Sequence, residues 1–357
     1  MLPSVGGVRV LIVGAGIAGL AVARALRAWG AEAEIAERSP AARTEGAGIY
    51  LPGNAVRALD DLGLGEQVRA RAVEIRRQRI ADHRGRPLMD LATADLWRGV
   101  GPCLALPRAD LHEVLLAGAK ETPIRWGRAP AAIAETGPDA RVTFGDGVEE
   151  RYDLVVGADG VHSAVRDMIF GSGAVARPVG QHARRFVASY PESGPVWSLM
   201  VGHRTAFLTI PIGGGQVYCY CDGPADGFAE PAATLLAGAT DVHRAPVEEV
   251  ALARWSRGRT VLVGDAAHAT SPNMAEGAAM AVEDALVLAG CLAAGGTTAG
   301  ALHAFEQRRR PRTDWVRAQT HRRDRSRNLP AAVRGLVLGR FGERMFHAHY
   351  RPLRDRP

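Results

Sequence analysis

The chain predicts an α/β fold of two intertwined parts: a parallel sheet covered by helices, and an antiparallel sheet inserted into it twice. Two observations carry that expectation. The first forty residues switch from a β-branched run at 8–13 to helical apolar spacing at 17–29 and back to a strand at 33–37, which is a βαβ unit. Residues from about 176 to 223, in contrast, pass through successive strands with no helix between them. At 357 residues and 37.9 kDa the chain is long enough for one large or two interleaved domains with a substantial core.

Taken in order, the elements divide as follows. After the βαβ unit comes a helix in "PGNAVRALDDLGLG", with Asn54 as its expected N-cap and Gly63 as its stop. Residues 76–91 read as a hairpin about His83-Arg84-Gly85-Arg86, and "PRADLHEVLLAGA" as an amphipathic helix starting near Arg108. Short strands fill 124–157, with a turn at Gly145-Asp146-Gly147. A glycine turn then joins two strands in "TAFLTIPIGGGQVYCYC", and "RTVLVGD" returns the chain to the parallel sheet. The first part is expected to comprise 1–75, 103–175 and 255–330, the sheet insertion 76–102 and 176–254, and a C-terminal helical segment 331–357.

Composition narrows the function. Hydrophobic residues at 47% with 23% charged residues fit a folded chain rather than a disordered one. The net charge of +6 comes from arginines scattered through apolar segments, Lys120 being the single lysine, so no nucleic-acid surface is expected. The densest run, "EQRRRPRTDWVRAQTHRRDRSRN", is broken by Glu, Asp and Trp and reads as a solvated helix face. Cys103, Cys219, Cys221 and Cys291 lack paired CxxC spacing, which suits a reducing cytoplasm and no metal site; Cys219 and Cys221 read as buried strand thiols. The first apolar run lacks a basic n-region and carries Arg24 and Arg27, so it is not read as a signal peptide, and no stretch reads as an integral membrane segment.

Gly14-Ala15-Gly16-Ile17-Ala18-Gly19 lies between the first strand and first helix and matches GxGxxG. The first glycine permits the tight turn, the second a close approach of pyrophosphate, and the third close helix packing. Glu37 ends the second strand about 20 residues on, where an acid binds an unphosphorylated ribose, and Arg38 follows it. Two more motifs follow: "GADGVHSAVR" at 157–166 and "GDAAHATSP" at 264–272.

In this order and spacing the three motifs resemble the fingerprints of the class A FAD-dependent aromatic hydroxylases, the flavoprotein monooxygenases, across most of the chain. The resemblance implies a p-hydroxybenzoate hydroxylase-like fold, a Rossmann-like FAD-binding domain with a substrate-binding β-sheet domain. It implies noncovalent FAD, NADPH or NADH as co-substrate, and O2 passed through a flavin C4a-hydroperoxide to an aromatic or polyketide-like substrate by hydroxylation or epoxidation. It assigns FAD contacts to Gly14, Gly16, Ala18, Gly19, Glu37, Arg38 and Arg108, and FAD and nicotinamide contacts to Asp159 and Arg166, whose turn also fits a helix capped by Ser163. Gly264 and Asp265 fall at the ribitol, while Pro272, Gly277 and Ala278 face the flavin pyrimidine and its oxygen-activating side. It makes His268 structural.

Glu276 departs from the Gly-Gln-Gly of many members, and the expectation is that it points to solvent and complements the helix dipole. On the substrate side, alternation sets Tyr218 and Tyr220 on one strand face, with Arg204 as an anion anchor. A reductase or dehydrogenase of the same fold, and a non-catalytic FAD- or NAD-binding sensor, remain as alternatives. The absence of a WxWxIP stretch disfavours a halogenase, and no third domain of the larger phenol-hydroxylase type is expected after the C-terminal helices.

Overall fold

The computed structural model describes residues 7–42, 46–326 and 329–357. Six strands form the central sheet in the order Ser256–Arg257, Thr260–Leu262, Leu154–Gly157, Arg9–Val13, Glu32–Glu37 and Ile124–Trp126. All neighbours pair in parallel except the hairpin at the Ser256–Arg257 edge. Arg9–Val13 therefore lies inside the sheet, covered on both faces, which is why its apolar run is continuous instead of alternating. The glycine loop and the other two motifs all leave the carboxyl ends of adjacent strands, the edge at which open α/β sheets bind ligands.

The alanine-rich helix Gly277–Ala293 packs on helices Ile17–Ala28, Gly53–Asp61 and Thr298–Ser326. Ala279, Ala281, Ala285, Ala289 and Ala293 are all buried, so small side chains are needed for close helix packing along its whole length. Gly277, in its first turn, is the helix's one exposed residue.

The second sheet has seven strands in the order His243–Glu249, Arg177–Ser189, Gln216–Asp222, Ala206–Gly213, Val196–Val201, Arg77–Asp82 and Pro87–Ala92. The hairpin from residues 77–92 joins the later strands by parallel pairing of Arg77–Asp82 with Val196–Val201. One face packs Cys219 and Cys221 with Phe186 and Phe207; the other carries Tyr218 and Tyr220.

Two sequence expectations fail here for the same reason. Helix Gly53–Asp61 begins after Pro52, and Asn54 is fully buried inside the first turn, donating to Glu276 and Glu283 instead of capping. Within the arginine-rich helix Thr298–Ser326, Arg309 and Arg312 are buried ion-pair partners rather than part of a solvated face. In both cases a distant carboxylate, invisible to local pattern, decides where a polar side chain goes. Arg327 and Asn328 at the end of that run lie outside the described residues.

Candidate functional site

The glycine loop shows what each glycine does. A side chain at Gly14, which has φ +107°, would place Cβ 2.6 Å from the Ala158 carbonyl oxygen, and one at Gly19 would collide with the Gly14 carbonyl. At Gly16 a Cβ would meet nothing within 4 Å. Gly14 and Gly19 are thus glycine for packing within the protein, whereas Gly16 leaves open space for a group approaching the backbone. That space is part of a cleft of about 320 Å³ lined by Gly14, Gly16, Glu37, Arg38, Arg108 and Asp159, among others.

Glu37 accepts hydrogen bonds from the backbone N–H groups of Ala15 (2.7 Å) and Ser39 (2.8 Å), so its carboxylate fixes the loop and also lines the cleft. Arg38 is exposed at the same mouth. Arg108 begins helix Arg108–Gly118, and one turn on His112 Nε2 lies 2.7 Å from the Ala15 carbonyl. His112 and Trp126, which pairs in register with Glu37, are cleft residues that the motif reading missed. His112 was legible as the i+4 neighbour of Arg108; Trp126 depended on strand pairing.

The second and third motifs are tied together behind this cleft. Asp159 accepts from Ser163 Oγ (2.5 Å) and from the Val165 N–H (3.1 Å), while Ser163 Oγ accepts from the Arg166 N–H and caps helix Ala164–Phe170. Burial pushes the Asp159 pKa up, and the hydrogen bonds only partly offset it. Arg166 does not reach the cleft as the motif reading expected. Its guanidinium is buried and donates to the carbonyls of Val161 (2.9 Å) and Ala266 (3.2 Å), so it clamps one motif turn to the other.

Gly264 has φ +58°, and a Cβ there would sit 3.0 Å from the Ala18 methyl. Ala18 accordingly supports the third motif instead of lining the cleft. The Gly264 N–H donates to Asp284 Oδ2 (2.8 Å), which also meets His268 Nε2 (2.7 Å). Burial opposes the charge on Asp284, but His268 and Arg309 outweigh it and hold the carboxyl below the usual range. His268 also packs its ring at a tilt against Trp255, a structural position. Asp265, one residue on, is exposed, and its Oδ1 would lie 3.9 Å from a Cβ on Gly277. The third motif and the start of helix Gly277–Ala293 thus meet at one point.

Pro272 opens a short 3-10 turn, Ala275 takes the left-handed conformation at φ +55°, and the helix follows. Its first internal bond is from the Met280 N–H to the Glu276 carbonyl, so the N–H groups of Gly277 and Ala278 point out of the helix end. Glu276 itself corrects the sequence expectation. It is 1% exposed, accepts from Asn54 Nδ2 (2.9 Å), and its pKa is raised to about 8, chiefly by burial. No solvent-facing dipole partner exists at that position.

On the second sheet, Tyr218 and Tyr220 do share a face. Tyr218 packs over Gly48, and the charges of Arg185 and Arg108 bear on its hydroxyl, whose pKa burial nonetheless raises. Arg204 does not join them. It is exposed in the turn after Val196–Val201, whereas Tyr218 pairs with Ile210, six residues further along and roughly 20 Å away at strand rise. The basic residue of that face is Arg185, which pairs with Tyr220 and lies over its ring at 5.7 Å. Only the strand register could have shown this.

A glycine loop with an open second glycine, an acid at the end of the second strand and a helix end facing Asp265 fit a flavin dinucleotide site, and the fold is p-hydroxybenzoate hydroxylase-like. The chain belongs to the family described as FAD binding domain, whose model matches residues 7–174 and 230–320, and within it to the class A FAD-dependent monooxygenases. It is 36% identical over 342 residues to 2-heptyl-3-hydroxy-4(1H)-quinolone synthase of Pseudomonas aeruginosa, covering 87% of each chain. It is 34% identical over 347 residues to 3-amino-4-hydroxybenzoate 2-monooxygenase of Streptomyces cremeus, covering 89% of this chain and 86% of the relative. Among solved structures it is similar to Klebsiella pneumoniae HpxO complexed with FAD and uric acid, with a TM-score of 0.89, 26% identity, and coverage of 98% and 97%.

Proposed function

We propose that the chain takes electrons from NADPH or NADH and oxygen from O2 to hydroxylate a small, planar ring compound bearing an ionisable hydroxyl or oxo group. The observation that carries this is the position of Tyr218. It sits where the seven-stranded sheet meets the cofactor part of the chain, packing over Gly48 on one side and sharing the field of Arg108, a cleft residue, on the other. The relatives are named for a quinolone and an aminohydroxybenzoate, and the solved structure holds uric acid. All three are planar compounds carrying oxygen on or beside the ring, which Arg185 and Tyr218 suit as donors.

Residues 1–75, 103–175 and 255–330 form the cofactor domain in this reading, and 76–102 with 176–254 the substrate domain. Gly16 admits the pyrophosphate while Gly14 and Gly19 keep the loop tightly packed around it, Glu37 takes the ribose hydroxyls, and Arg38 and Arg108 border the adenosine half. Asp159 shapes the turn beneath it, with Arg166 as a positioning residue. Asp265 accepts from the ribitol, and Pro272 with the N–H groups of Gly277 and Ala278 abuts the flavin ring. Bound FAD would supply the redox chemistry; the chain supplies orientation, exclusion of water and amide dipoles at the edge that gains negative charge. Four buried free cysteines are compatible with a reducing cytoplasm.

The test is NAD(P)H oxidation by the purified yellow protein, screened against hydroxyquinolones, hydroxybenzoates and purines under labelled O2. Stimulated oxidation with one labelled oxygen in the product is expected. Stimulation without label would indicate a reductase, and no stimulation by any ring compound would favour a sensor.

A further inference from the structure

Helix Gly277–Ala293 begins over a buried cluster of charge. Two guanidiniums, Arg309 and Arg312, face two carboxylates: Arg309 bonds Asp284 (2.7 Å) and Glu283 (2.8 Å), and Arg312 bonds Glu283 through both Nε and a terminal nitrogen (2.8 Å each). The pairing is complete without Glu276. Among the described residues that third carboxyl, equally buried, touches no cation, its only hydrogen-bond partner is Asn54, and its Oε1 has none.

The groups bearing on Glu276 come from every neighbouring element. Glu283 is two turns away on its own helix. Arg312 and Arg323 act from helix Thr298–Ser326, Tyr350 from the end of helix Ala331–Tyr350, and Cys103 from strand Cys103–Pro107. Arg323 is engaged by the Asn273 carbonyl (2.8 Å) and the Tyr350 hydroxyl (3.2 Å), not by Glu276. An ion with no counter-ion in such a place is strongly disfavoured, and the carboxyl takes a proton instead.

We propose that Glu276 works as an uncharged carboxylic acid at the foot of this helix, a positioning residue that leaves the free amides of Gly277 and Ala278 unopposed, and that its ionisation weakens their support of reduced flavin. Protonated, Glu276 occupies the space of a glutamine amide without adding charge. Ionised, it sets a negative charge against the same edge that gains one on reduction. The second half rests on the flavin placement given above; the first half does not.

The experiment compares the FAD-loaded wild type with Glu276→Gln, which keeps the volume and an oxygen for Asn54. At about pH 6 the infrared difference spectrum should contain the carbonyl stretch of a protonated carboxylic acid, lost in the variant, and in the wild type this band should fade as pH rises through about 8. Absence of the band at about pH 6 overturns the proposal, and the wild-type titration stands alone if the variant does not fold. Stability supplies a second readout. The folded pKa is raised, so the folded chain keeps a proton that the unfolded chain releases from about pH 4.5 upward, and wild type loses stability as pH rises toward about 8. The variant's Tm advantage should therefore widen between about pH 5 and pH 8; a constant gap overturns the proposal.

Dye-equilibrated titration then tests the flavin. The two potentials should coincide at about pH 6 and diverge at about pH 9, wild type being more negative by about tenfold in the oxidised-to-reduced ratio, roughly 30 mV. Equal potentials at both pH values, with the infrared and Tm results as expected, would overturn the flavin placement and leave the buried acid standing. A potential difference already full at about pH 6 would mean an ionised Glu276 and overturn the proposal.

Discussion

The two ends of the proposed cofactor site are built by different means. At the glycine loop, backbone does most of the work: Gly14 and Gly19 allow close packing, Gly16 leaves space, and Glu37 ties the loop by accepting two N–H bonds. At the helix end, a buried ion network holds the backbone in place, with Asp284 gripping the Gly264 N–H and Arg309 gripping Asp284. A site made of backbone tolerates solvent; a site held by buried charge depends on every partner. The first end should therefore fail by losing ligand, the second by losing the fold.

Arg309→Leu is expected to have the largest effect. It strands Glu283 and Asp284 with fewer cations in the core, and breaking such a network costs about 3–5 kcal/mol in urea unfolding. A loss confined to FAD affinity would break the contrast. Glu37→Ala should act in the opposite sense, weakening FAD binding by about 1.5–3 kcal/mol, roughly tenfold to a hundredfold, with a smaller change in unfolding.

A pair of glycine variants sharpens the comparison inside one loop. Gly14→Ala forces a methyl against the Ala158 carbonyl at positive φ and should destabilise the FAD-free protein by about 1–3 kcal/mol. Gly16→Ala meets open space, so it should leave that stability unchanged while reducing FAD retention. Equal melting shifts in the two would show that Gly16 serves packing after all. The smallest effect belongs to Ser163→Ala, which removes the cap of helix Ala164–Phe170 at about 1 kcal/mol, read by thermal unfolding.

How much of this was legible in the sequence follows the same division. The placing of the glycine loop, Glu37, Asp265 and the free amides at Gly277 at the ends of adjacent strands and helices could be read because it depends on residue type and local spacing. The placing of Glu276, Asn54 and Arg309 escaped local pattern, since each is held by a partner far along the chain. Local rules send an acid near a helix start toward solvent and an asparagine to a cap; here each is drawn inward by the other. The tyrosine face followed from alternation alone, but choosing Arg185 over Arg204 required the pairing of Arg177–Ser189 with Gln216–Asp222.

The order of strands in the central sheet has a consequence for biogenesis. Arg9–Val13 pairs with Leu154–Gly157, which in turn pairs with Thr260–Leu262, and helix Ile17–Ala28 is covered by Gly277–Ala293. During synthesis the glycine loop emerges long before Gly277–Ala293 and has no roof until that helix has been made. Its apolar helix must wait, uncovered, until then, and such non-local topologies close slowly. In the placement proposed for FAD, cofactor cannot template the early chain, because Asp265, Pro272, Gly277 and Ala278 do not yet exist. A nascent chain stalled before residue 260 should recruit holdase chaperones and take up no flavin, whereas release of the full chain should permit both covering and loading.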